Sequence, residues 1–146
     1  MKIKDELLIS AVSPEMVPVL WPVMFEKLEK AVECANGELD MEDVFSKMMN
    51  KIMLPIVISE GENIIAVIAV EVRDFDSGKR ILNVTLAGGS KLDSWVALLD
   101  ETLIGLARDK NCSEIYIVGR AGWQRAIKKY GYGAIHTVIS KKVEEL

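Results

Sequence analysis

The stretch that most limits what this chain can become is Ile64-Ile65-Ala66-Val67-Ile68-Ala69-Val70. Side chains of a strand alternate between two faces, so a run apolar at odd and even positions alike has to be covered on both. It predicts a strand deep in a sheet, with helices above and below. The flanking runs Leu54 to Ser59 and Arg80 to Ala87 read as neighbouring strands. The spacers Glu60-Gly61-Glu62-Asn63 and Asp74-Phe75-Asp76-Ser77-Gly78-Lys79 carry the residues that tight turns require.

Helical periodicity precedes and follows these strands. After a strand-like start at Leu7 to Val12, Ser13-Pro14 reads as an N-cap with a first-turn proline, followed by the apolar stripe Val17, Leu20, Trp21, Met24, Phe25, Leu28 and Ala31. Pro18 and Pro22 each remove a backbone donor, so this helix is expected to kink or to begin after Pro14, and Asn36-Gly37 ends it. Asp40, with Asp43 three positions on, opens a second helix whose face is Val44, Phe45, Met48 and Ile52. Met41, Met48, Met49 and Met53 read as adaptable packing or as a flexible acceptor entrance. Beyond Gly88-Gly89, a helix carrying Leu92, Trp95, Val96, Leu99, Leu103 and Leu106 runs to about Arg108 and returns the chain to a strand at Ile115, Ile117 and Val118. That is a crossover between parallel strands.

With 146 residues, half of them hydrophobic, the chain is expected to form one domain over residues 1–146. A net charge of -4 argues against nucleic acid as a partner, although Arg120, Arg125, Lys128 and Lys129 make a local basic patch. No apolar run has the length of a membrane span, and Met1 to Glu6 has no signal-peptide character, so a cytoplasmic protein is expected. Cys34 and Cys112 lack metal or disulfide spacing, and His136, in an expected C-terminal strand, has no ligand partner; no metal site is expected.

The most function-laden segment is Gly119-Arg120-Ala121-Gly122-Trp123-Gln124-Arg125-Ala126-Ile127-Lys128-Lys129-Tyr130-Gly131-Tyr132. It reads as a turn, a short basic helix with Trp123, Ala126, Ile127 and Tyr130 on one face, and a stop at Gly131. Cations, amides and an aromatic hydroxyl close together suit an anionic ligand. The segment, ending in Tyr130-Gly131-Tyr132, resembles the C-terminal half of the GCN5-related N-acetyltransferases, and its wording is similar to acetyltransferase-like proteins of phages and prophages. The order of elements resembles that fold across nearly the whole chain. The resemblance implies an α/β (α+β) architecture, a mixed twisted sheet of about six or seven strands with helices on both faces. It implies acetyl-CoA as cofactor and Tyr130 as the acid that protonates the departing thiolate. Packing in the core is the alternative for Trp123 and Tyr130.

A glycine-containing turn at a helix N-terminus is an economical pyrophosphate site. Ala87, Gly88, Gly89 and Ser90 are placed for it, with Lys91 as an added cation, while Ser90-x-x-Asp93 also reads as a plain helix cap. Thr85-Leu86-Ala87-Gly88-Gly89-Ser90 matches the phosphate-loop wording of the resembling family fully only at Gly88. The strand Ile81 to Leu86 lacks a carboxylate, which leaves Glu71, on the neighbouring strand, as the candidate base acting through water. An exposed strand-end glutamate is the alternative. Gly88-Gly89 is expected to face Tyr130 across a cleft between diverging strands. The leading expectation is therefore acyl transfer from acetyl-CoA to an amine that the sequence does not name. Its rivals are a catalytically silent phage or prophage scaffold, in the virion or host cytoplasm, binding another protein or a second copy of itself, and a coenzyme A sensor.

Overall fold

A computed structural model describes residues 6–118 and 121–143; Gly119 and Arg120, within the glycine-rich motif, lie outside the described residues. Strand β1 (Leu7–Ala11) leads through a single 3-10 turn (Pro14–Met16) to α1 (Val17–Glu33) and α2 (Met41–Met49). Strands β2 (Met53–Glu60), β3 (Asn63–Asp74) and β4 (Arg80–Gly89) follow, then α3 (Leu92–Asp109), β5 (Glu114–Ile117) and α4 (Ala121–Ile127), which tightens into a 3-10 turn at Lys128–Tyr130.

The prolines shape the first helix as their chemistry requires. The α-helical part starts at Val17, with Pro18 in the first turn, where a missing N–H costs nothing. Pro22 is inside the helix and leaves the carbonyl of Pro18 without its usual partner. Helix α2 has the reciprocal cap that the sequence suggested: the Asp43 N–H donates to Asp40 Oδ1 at 2.8 Å, and the Asp40 N–H donates to Asp43 Oδ2 at 3.3 Å.

The sheet order is β1-β2-β3-β4-β5, antiparallel except for β5, which runs parallel to β4 after the α3 crossover. Val67 and Ala69 of β3 pack under α1 and α2 against Met24, Leu28, Val44 and Met48, while Ala66, Ile68 and Val70 pack under α3 against Trp95, Leu99 and Leu103. The doubly apolar strand thus lies at the centre of a two-sided core. The mixed sheet has five strands among the described residues, fewer than expected. Residues 132–143, including His136, have neither helix nor strand, and Ile135, Val138, Ile139 and Val143 are exposed. β-branched composition alone suggested a strand there; pairing and burial, which make strands stable, are missing. No helix of the described residues is long and apolar enough to cross a membrane.

Two further corrections concern the glycines. β4 runs on through Gly88 and Gly89, which pair with Val67 and Ala66, so these are strand residues and not a turn. A Cβ on Gly88 would meet the backbone carbonyl of Lys27 in α1, and one on Gly89 the backbone of Ile65 and Ala66. Close approach of backbone is what both positions require. The expected Ser90 cap is also absent: the N-cap of α3 is Lys91, in the left-handed region at φ 60°, with no side-chain cap bond. Ser90 instead donates its N–H to the Ile65 carbonyl at 3.0 Å and accepts from Trp95 Nε1 at 2.7 Å.

Between Val84 and Leu86, β4 holds an extra residue. Ala69 pairs with Leu86 and Val70 with Val84, leaving Thr85 as a bulge. Before the bulge, Leu82 and Val84 point to the α3 side; after it, Leu86 joins the α1 and α2 side, where the missing Cβ of Gly88 also points.

Candidate active site

β5 pairs with β4 only over Ile81 to Val84, and the Val118 N–H donates to the Val84 carbonyl at 3.3 Å just as the strands part. A cleft of about 380 Å³ opens there. Thr85, Leu86 and Ala87 line one wall, Ile117, Val118 and Trp123 another, and the α1 end with the following loop, from Ala31 to Leu39, contributes a third. The bulge therefore lies at the mouth of the divergence.

Four polar side chains join along the cleft. Asn83 Nδ2 donates to Thr85 Oγ1 at 2.9 Å, Thr85 Oγ1 donates to Glu71 Oε1 at 3.3 Å, and Lys47 Nζ lies 3.5 Å from the same carboxylate oxygen. Glu71 and Asn83 are cross-strand partners on β3 and β4, so their side chains leave the sheet on one face, and Lys47 reaches them from the last turn of α2. The order of donors fixes the amide of Asn83. A carboxylate only accepts, so the single hydroxyl proton of Thr85 goes to Glu71, and Thr85 must then receive its own hydrogen bond from Nδ2. Asn83 Oδ1 is left fully buried without a partner among the described residues. An orphan acceptor of this kind costs about 1–3 kcal/mol unless something supplies a proton donor.

Glu71 is 7% exposed. The strand-end alternative does not describe it, because β3 continues to Asp74. Arg73, two residues further along β3, also lines the cleft. Of the cleft's polar residues, sequence reasoning found Glu71 and missed Lys47, Arg73 and Asn83. The one available signal was Asn83, a polar residue inside Ile81-Leu82-Asn83-Val84.

Tyr130 is placed elsewhere. It lines a small cavity against α3, with Val96, Leu99, Asp100, Leu103 and Tyr132, and is not among the residues lining the cleft. The space above Gly88 belongs to α1, on the opposite face of the sheet, so Gly88 and Tyr130 do not face each other across one cleft. Gly131 does adopt the left-handed stop, at φ 92°. Beside Tyr130, Tyr132 donates its hydroxyl to Asp100 Oδ1 at 2.8 Å. Burial, then the bond to Asp100, pushes its phenol well above the usual tyrosine range.

Of the residues assigned to pyrophosphate, Ala87 lines the cleft while Gly88, Gly89, Ser90 and Lys91 do not. The Ser90 N–H is spent on Ile65, and Lys91 Nζ bonds Glu60 Oε1 at 2.8 Å.

The fold is similar to that of several solved acetyltransferases. A predicted acetyltransferase from Clostridium acetobutylicum, solved with acetyl-CoA, matches with a TM-score of 0.68 over 94% of this chain and 96% of that one, at 15% identity. An aminoglycoside acetyltransferase from an uncultured soil metagenomic sample matches with a TM-score of 0.71 over 95% and 99% of the two chains at 14% identity. An aminoglycoside N-acetyltransferase in complex with CoA gives 0.69 over 98% of each chain at 11% identity. No protein-family model and no curated protein matches the sequence.

Proposed function

We propose that this chain transfers an acyl group from a coenzyme A thioester directly to an amine. The observation that carries this reading is a buried glutamate, Glu71, bonded to the bulge residue Thr85 where β4 and β5 separate over a cleft. Similar folds solved with acetyl-CoA or CoA support it.

The thioester arm fits the residues present. Past Val84, β4 has lost its β5 partner, and an extended arm can lie along Leu86 and Ala87 as an added strand, with Ile117, Val118 and Trp123 excluding water. The bound thioester supplies the activated acyl carbon. Glu71 would take the proton of the incoming ammonium, directly or through one water, so that a neutral amine reaches that carbon. Thr85 and Lys47 hold the carboxylate in place for that transfer. The C–S bond would break as the C–N bond forms, and coenzyme A would leave as a thiolate that takes its proton from water; proton donation is not assigned to Tyr130, which lines the other cavity.

The phosphate end fits less well. Gly88 is filled by the Lys27 carbonyl and Lys91 is paired, so Gly88 to Lys91 make no ready cradle. That observation favours a second reading, a phage or prophage scaffold that has kept the fold and lost the reaction. Titration calorimetry with acetyl-CoA, followed by thiol release against an amine panel, separates the two. Binding with turnover supports transfer; binding without turnover indicates a sensor, and no binding indicates the silent scaffold.

A further inference from the structure

The cleft wall carries charges in a particular order. Glu71 and Arg73 are two residues apart on β3, so they leave the sheet on one face about 7 Å from each other. Glu71 is held by Thr85 and Lys47, whereas Arg73 has no hydrogen bond or ion pair among the described residues. Across the strand pair, Asn83 Oδ1 adds a second acceptor that is fully buried and unsatisfied. Proton acceptors thus gather at the Glu71 and Asn83 end, and an available cation stands at the Arg73 end.

We propose that the cleft takes a primary amine carrying an anionic group several bonds away, with the amine docked at Glu71 and Asn83 and the anion on Arg73. An amine nitrogen offers more than one N–H, enough to meet both Glu71 and the orphan oxygen of Asn83. A guanidinium presents paired donors to a carboxylate or a phosphate. Polycationic amines are poorly served. Among the described residues the ionic side chains of the lining are Glu38 and Glu71 against Lys47 and Arg73, with no acidic surplus to hold several ammonium groups. The inference deepens the acyl-transfer reading, on which it rests for what is then done to the amine, but the recognition itself needs no thioester.

Binding is therefore measured on the full chain without any acyl donor, by titration calorimetry with 4-aminobutyrate, glucosamine 6-phosphate, butylamine and kanamycin. The two anionic amines are expected to bind at least about tenfold more tightly than butylamine or kanamycin, as befits one added charge-assisted contact. Arg73→Ala, a change at an exposed side chain, should erase that advantage and leave butylamine unaffected. Asn83→Leu should weaken all the amines. Equal affinity across the four probes, an advantage that survives Arg73→Ala, or no binding at all would overturn the proposal. Retained discrimination without thiol release from acetyl-CoA would instead remove the transfer reading alone.

Discussion

Glu71 and Asn83 face each other across β3 and β4 and are joined by the one hydroxyl of Thr85. Glu71→Gln keeps the size of the side chain and an oxygen for Thr85 but removes the base. Turnover of an amine substrate should fall about a hundredfold or more, the usual loss for one positioned base, with the melting temperature changed little. Steady-state thiol release alongside calorimetric melting checks both halves; unchanged turnover would end the role given to Glu71.

Two glycines should respond in opposite senses. Gly88→Ala places a methyl group on the Lys27 carbonyl and forces α1 away from β4, at a cost of about 1–3 kcal/mol, the usual penalty of overpacking. Gly105→Ala, on an exposed position of α3 with open space around it, should stabilise by about 1 kcal/mol through helix propensity. Denaturant midpoints at unchanged slope decide both.

The tyrosines separate packing from chemistry. Tyr130→Phe should leave turnover within about twofold, far from the hundredfold effect of losing a general acid. Tyr132→Phe loses the bond to Asp100 and about 1 kcal/mol of stability. The raised phenol of Tyr132 also sets a pH dependence. Its stabilisation is whole below the unfolded tyrosine value of about 10 and is lost as pH climbs from there toward the higher folded value. Alkaline unfolding curves should show this fall in the wild type and a weaker one in Tyr132→Phe.

Thiol chemistry offers a reporter of the cleft. Cys34 is exposed and lines it, while Cys112 is half-buried and its thiol is pushed up by that burial. Iodoacetamide should label Cys34 first, as read by peptide mass spectrometry, and an amine or thioester in the cleft should slow the labelling. Equal rates at both cysteines would contradict this placement.

The layered core was legible because its cause is local: the Ile64 to Val70 run, apolar on both faces and bounded by turn residues, asks for cover above and below, and the Asp40 and Asp43 cap announces α2. The site was legible only in part. Glu71 could be named, but its burial depends on β3 continuing to Asp74 and on Lys47 arriving from α2, neither of which any local pattern specifies. Gly88-Gly89 misled because the same residue that permits a turn also permits two backbones to touch, and only the position of α1 decides between these uses. Tyr130 stood in a persuasive motif, yet the direction taken by its helix delivered it to α3.

Thr85 makes β4 a strand written in two phases. Upstream, odd-numbered positions supply the polar wall; downstream, even-numbered positions supply Leu86 and the notch at Gly88, so one face carries a reactive half and a structural half. Excising Thr85 would remove the extra residue and restore plain alternation: Leu86 would follow Val84 directly and, like Gly88, keep the face and the β3 partner that it already has. Only the link from Asn83 to Glu71 would be lost. A single-codon deletion here should therefore spare the layered core and strike the cleft, whereas a deletion elsewhere between Leu82 and Gly88 would re-address the side chains that follow it.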